Sequence, residues 1–264
     1  MDMLLKQGRI LFAISIAAFG LQNIIWAHSK DPFLSMIPWV PSYPPLGYLT
    51  GIALLLGGIS ILANLRMRHA SMLLGVLFLL CVIFLQFSRV AASPWDVGVR
   101  TCAFETLTMC ASAWMLADSR RGAGEDSSRW KPALNTVLAS GRYLFAISMI
   151  VFGIDHYLVF NLIVSLVPHW IPGSGWFWAN LTAFALIAAG FSIAVKWLDR
   201  WAAALLGLMF LIWFLVLHAP RVLSYPRCLD PDEWSSAFIA LAVCGGAWIL
   251  ARSIPAKSSG NVRG

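Results

Sequence analysis

Gly8-Arg-Ile-Leu-Phe-Ala-Ile-Ser-Ile-Ala-Ala-Phe-Gly20 returns further along the chain as Gly141-Arg-Tyr-Leu-Phe-Ala-Ile-Ser-Met-Ile-Val-Phe-Gly153, with nine identities in thirteen positions. Self-similarity at a long interval marks a duplicated structural unit. The match continues outward. Leu73-Leu-Gly-Val-Leu-Phe-Leu79 corresponds to Leu205-Leu-Gly-Leu-Met-Phe-Leu211, and Arg89-Val90 then falls on Arg221-Val222 without a gap. Near the ends of the two units, Cys110-Ala-Ser-Ala-Trp-Met-Leu-Ala117 corresponds to Cys244-Gly-Gly-Ala-Trp-Ile-Leu-Ala251.

The composition says what solvent these units face. A chain of 264 residues that is 59% hydrophobic and 12% charged has too little polar surface to cover a water-soluble fold. The lipid bilayer is its surroundings, and the thirteen Trp and sixteen Phe suit the aromatic belts at membrane interfaces. Eight apolar stretches, near 9–27, 46–64, 70–88, 99–117, 142–160, 176–195, 201–219 and 235–252, are each long enough for a membrane-crossing helix. Pro32, Pro38, Pro41, Pro44 and Pro45 exclude a continuous helix over 28–45, because each ring removes a backbone donor. The expected fold is therefore all-α, a polytopic transmembrane bundle of eight helices in two four-helix repeats. The first repeat occupies 1–118, a polar linker 119–138, the second repeat 139–254 and a polar tail 255–264. Because 9–27 recurs at 142–160, the first helix is expected to be retained rather than cleaved as a signal peptide.

The basic residues set the orientation. With the N-terminus in the cytoplasm, 14 of the 19 Lys and Arg lie on the cytoplasmic side, leaving Lys30, Arg89, Arg100, Arg221 and Arg227 outside. Both termini then face the cytoplasm of a cell inner (plasma) membrane. An even number of helices per unit makes the repeats parallel, related by an axis along the membrane normal. The net charge of +7 comes from short clusters between apolar stretches, so it reads as topology and not as a nucleic-acid surface.

Two phrases follow the first helix of each unit. They are Phe19-Gly20-Leu21-Gln22-Asn23 with Ile37-Pro38-Trp39-Val40-Pro41, and Phe152-Gly153-Ile154-Asp155-His156 with Val167-Pro168-His169-Trp170-Ile171-Pro172. Leu49-Thr50-Gly51 and Gly57-Gly58 are matched by Leu181-Thr182 and Gly190. Four helices with this Gly-x-x-His, paired-proline and helix-two glycine pattern resemble the DoxX-like family of bacterial membrane proteins, here as two fused units. The resemblance implies a membrane component of a quinone- or sulfur-linked redox system, with quinone as the ligand and a redox partner protein supplying electrons. The first unit departs from the pattern, since Asn23 stands where the second has His156.

Ionisable residues inside a bilayer are costly, so they mark candidate sites. Asp155 and His156 lie about 13–14 residues into their helix, in the outer half of the membrane at about 1.5 Å per residue. A carboxylate beside an imidazole can hold one tautomer and raise its pKa, giving a substrate or proton site; the alternative is an interhelical hydrogen-bond anchor. Arg89 and Arg221 occupy equivalent outer helix ends, three residues after Gln86 and His218. Each arginine could bind an anion through its planar fork, snorkel to the headgroups, or pair with Glu105. Arg89, Glu105, Asp155, His156, His218 and Arg221 all fall toward the outer leaflet and form the candidate substrate site.

Cys110 and Cys244, each four residues before a tryptophan, read as packing, whereas Cys102 and Cys228 could meet in a disulfide on the outer side. No metal spacing, haem-ligand pair, nucleotide loop or nucleophile with its base is present in the sequence. The residues by themselves leave enzyme, carrier of a small or lipid-like solute, and non-catalytic scaffold open.

Overall fold

The computed structural model describes residues 2–27, 44–119, 131–224 and 230–253, all helices and their short connections with no strand among them. We number the helices α1 (Asp2–Trp26), α2 (Pro44–Leu62), α3 (Met67–Ala92), α4 (Val97–Asp118), α5 (Lys131–Leu158), α6 (Phe160–Leu166), α7 (Gly175–Val195), α8 (Asp199–Leu223) and α9 (Pro231–Ser253). The eight expected helices are present, joined by the short α6, which the sequence reading does not anticipate. Residues 131–138, expected in the polar linker, form the first two turns of α5. Trp39 and most of the proline-rich stretch, the rest of the linker and the tail lie outside the described residues.

Seven of these helices are long and apolar enough to cross a membrane, which makes this a multi-pass membrane protein. The eighth expected span, α4, has the length but not the composition. The physical reason lies in its position. Residues 108–117 of α4 are buried on every side, including Thr108 and Ser112, so this helix, like its neighbour α9, meets protein where most of the others meet lipid. An unbroken apolar surface is needed only against lipid. By contrast, Leu73, Phe84, Leu205 and Leu215 on α3 and α8 point outward.

α4 and α9 pack against each other at the centre. Around them run α1, α2 and α3 on one side and α5, α7 and α8 on the other, with α1 seated on α9 and α5 seated on α4. The first helix of each sequence unit thus packs on the last helix of the other. Small residues allow these approaches, as expected where backbone contact replaces the hydrophobic effect. A Cβ on Gly8 would stand 2.8 Å from the Gly245 carbonyl oxygen, and one on Gly246 would stand 2.1 Å from Ser112 Oγ. Trp114 fills the notch over Gly75, and Trp248 fills the one over Gly207.

Local irregularities recur at matching positions. A π-helical turn interrupts α3 at Val82–Gln86 and α8 at Phe214–His218. The α2–α3 connection uses left-handed Asn64 and Arg66, and the α7–α8 connection uses left-handed Lys196 and Leu198. At the same end of the bundle Arg9 donates to Asn64 Oδ1 at 3.1 Å. Arg142 likewise donates to the Ile193 carbonyl at 3.0 Å and to Asp199 at 2.7 Å.

Candidate functional site

A cavity of about 560 Å³ opens within the half formed by α5 to α9 and the start of α4. Its wall runs from Val97 and Val167 at the helix ends down to Leu186 and Val243, and is mainly aliphatic and aromatic. Trp178 and Trp213 meet edge to face on it, with ring centroids 6.3 Å apart. A mostly apolar concavity with a few polar groups is the usual form of a small-molecule site. Four of the six candidate residues, Glu105, Asp155, His156 and His218, line this one space.

Each polar group arrives there for a local reason. The Asp96 side chain caps α4 by accepting from the Val99 backbone at 3.1 Å. That start places Arg100 and Thr101 against α5. The Arg100 guanidinium donates from Nε to Asp155 Oδ1 at 2.8 Å, and a second donation from its Nη2 completes the pair. Thr101 donates to Asp155 Oδ2 at 3.1 Å, and Arg100 Nη1 reaches the Pro94 carbonyl at 3.0 Å. Asp155 is 3% exposed. Its carboxylate is thus neutralised and hydrogen-bonded on both oxygens, the condition under which a buried charge is tolerated.

Asp155 does not orient His156, in contrast to the sequence reading. Adjacent residues on a helix point about 100° apart and do not face each other. The His156 ring instead turns back along its own helix, and Nδ1 lies 2.7 Å from the Phe152 carbonyl oxygen. A carbonyl can only accept, so Nδ1 carries the proton and Nε2 of the neutral ring is an acceptor.

His218 closes the π turn of α8. An extra residue in a turn rotates the side chains beyond it, a device common at functional sites, and here the turn brings the imidazole to the cavity wall. Its Nδ1 is buried without a hydrogen-bond partner among the described residues. Arg221, three residues on, does not join it. Its Nε donates to Glu233 Oε2 at 2.7 Å, and Nη2 bonds the other carboxylate oxygen. Arg89 on α3 does not line the cavity either. The Arg89–Glu105 pair considered from the sequence is not formed among the described residues. Glu105, half-buried on the cavity wall, has no hydrogen bond or ion pair among them.

Cys110 and Cys244 are fully buried free thiols, and Cys102 is free while Cys228 lies outside the described residues. Among the described residues no group of three or more His, Cys, Asp or Glu could hold a metal ion. Sequence reasoning passes over Arg100, Thr101 and Glu233. For Arg100 the signal is present: of the five basic residues assigned to the outer side, it alone falls inside an expected span, 99–117. A cation there needs an acid on a neighbouring helix, and Asp155 supplies it. No family model, no curated protein and no solved structure matches this chain.

Proposed function

We propose that this chain is a DoxX-like membrane protein whose second half binds a small, lipid-like molecule within the bilayer. In this reading α4 is an eighth span, shielded from lipid by its neighbours. The chain forms two parallel four-helix repeats about an axis along the membrane normal, with both termini on the cytoplasmic side of an inner membrane. The paired helix contacts, π turns and left-handed connections support the duplication.

The observation that carries the binding reading is the cavity: about 560 Å³ of largely apolar space in which Glu105 and His218 have polar atoms without partners among the described residues. Unpaired polar atoms in an apolar setting cost about 1–3 kcal/mol each, a cost that the polar group of a bound molecule would offset. The redox role implied by the family resemblance would place a quinone in the same space and draw electrons from a partner protein.

Titration in lipid nanodiscs tests this. A short-chain quinone analogue and a neutral apolar fluorophore are each added to the wild type and to Ala240→Phe, which fills the wall at a buried position. Saturable binding of either probe that is lost in the filled variant supports the site. If only the quinone analogue binds, and His156→Ala weakens it, the redox reading is favoured. Absence of saturable binding to the wild type removes the proposal.

A further inference from the structure

The polar groups of the cavity are unequal in what they can bind, and their balance points to a ligand of one charge. We infer that the cavity takes a hydrophobic organic cation, an alkyl or aryl ammonium, anchored by the Glu105 carboxylate; this rests on the binding reading above.

The wall carries two carboxylates, but they are in different states. Asp155 is consumed by Arg100 and Thr101. Glu105, two turns into α4, has neither cation nor donor among the described residues. The two neighbouring arginines leave it alone: Arg221 is held by Glu233, and Arg89 does not reach the wall. Arg100 with Asp155 is neutral as a pair, so among the described residues Glu105 is the one wall carboxylate with no counter-charge. In a low-dielectric space an unpaired carboxyl stays protonated unless a positive partner meets it, and an ammonium group is such a partner.

Two further polar groups agree with that pairing, whereas Thr182, Ser236 and His218 on the same wall can each donate or accept. The neutral His156 ring presents Nε2 as an acceptor, because Nδ1 is committed to Phe152. Thr101 spends its proton on Asp155 and keeps only lone pairs to offer. The acceptors near Glu105 suit a ligand that donates, and an ammonium group brings up to three N–H donors. An anion would add negative charge beside Glu105, and a quinone, which only accepts, would match it only as the protonated acid. Trp178 and Trp213 supply aromatic surface on the same wall, which attracts cations through the ring quadrupole, while the aliphatic remainder houses an apolar body.

Three probes of one shape separate charge from apolar fit: 4-phenylbutylamine, 4-phenylbutanol and 4-phenylbutyrate, each titrated by calorimetry into the full-length protein in nanodiscs near neutral pH. The amine is expected to bind the wild type at least tenfold more tightly than the alcohol, and the acid more weakly than both. In Glu105→Gln the ratio of amine to alcohol affinity should fall to near one, whereas Glu105→Asp, which keeps the charge, should retain a preference. Equal binding of amine and alcohol by the wild type, tighter binding of the acid, or a preference that survives in Glu105→Gln would each overturn the inference. Alcohol binding that Ala240→Phe abolishes, without any amine preference, leaves the cavity as a binding site and rejects only the charge selection. If none of the three probes binds, the binding reading fails and this inference with it.

Discussion

At equivalent depth the two halves hold their first helices in place by different chemistry. In the second half Asp155 is gripped by Arg100 and Thr101. In the first, Gln22 donates to Ser235 at 2.7 Å, with Trp234 at the position matching Arg100. His156 faces a cavity, whereas its counterpart Asn23 is 4% exposed; His218 reaches the wall, whereas Gln86, at the same place in the matching π turn, is fully buried. One backbone arrangement therefore accepts a neutral contact or an ionic one. The ionic version stands beside the open space, and the neutral version lies in the half whose core includes Phe19, Leu54 and Phe78. A charged lock stays well hydrogen-bonded beside a cavity because both of its partners are supplied from the protein itself.

The most severe way to break this comparison is to leave one charge alone. Arg100→Ala strands the Asp155 carboxylate, with an expected loss of about 3–5 kcal/mol read from unfolding in mixed detergent micelles. Adding Asp155→Asn to it should recover most of that loss. If Arg100→Ala is as stable as the wild type, the pair is not the lock.

Moving the charge across the pseudo-symmetric halves sharpens the point. Gln22→Asp puts a carboxylate against Ser235, where no pairing cation is seen among the described residues, and a cost of about 2–4 kcal/mol is expected from a buried charge lacking its pair. Trp234→Arg in the same chain should restore part of it. A gain in stability from Gln22→Asp alone would show that the first half already holds an unused positive partner.

Glycine contacts distinguish the halves more gently. A Cβ on Gly20 would meet backbone, at 2.4 Å from the Leu55 nitrogen and 2.6 Å from the Gly51 oxygen. On Gly153 the nearest atom is Ile187 Cγ1 at 2.5 Å, which belongs to a side chain that can turn away, although the Ala183 oxygen comes next at 2.7 Å. Both substitutions to Ala should destabilise by about 1–3 kcal/mol, Gly20→Ala more than Gly153→Ala. The reverse order in thermal unfolding would contradict the tighter α1–α2 contact.

The smallest expected difference concerns the paired tryptophans. Trp248 Nε1 donates to the Ala204 carbonyl at 3.2 Å, and Trp114 makes no such bond among the described residues. Trp248→Phe should therefore cost more than Trp114→Phe by about 0.5–1.5 kcal/mol. Equal losses would show that filling the glycine notch, and not the hydrogen bond, dominates at both sites.

Helix positions are legible in the sequence because each outer helix must be apolar over a bilayer's thickness, and that requirement is written residue by residue. Where the requirement lapses, the reading weakens. Protein, not lipid, surrounds α4, so its composition falls short of a span. The early start of α5 at Lys131 is hidden by polar residues that a helix beyond the apolar core accepts freely. The candidate site is legible in part, because Glu105, Asp155, His156 and His218 are ionisable groups in apolar stretches and few residues qualify. Their partners are not legible. Arg221 chooses Glu233 over an anion, and His156 chooses a backbone carbonyl over Asp155, since each choice depends on where neighbouring helices stop and how a π turn rotates the chain.

By itself, then, the amino-acid order determined a helical membrane protein, the internal similarity of its two halves and the short roster of polar residues at depth, because period, length and hydropathy act locally. Only the tertiary structure decided that α1 and α5 pack on the last helix of the opposite unit, that Arg100 and Asp155 neutralise each other across the units, and that Glu105 has no counter-charge among the described residues on a cavity wall. Those outcomes depend on distances between residues remote in sequence, which the packing of helices sets and local pattern does not encode.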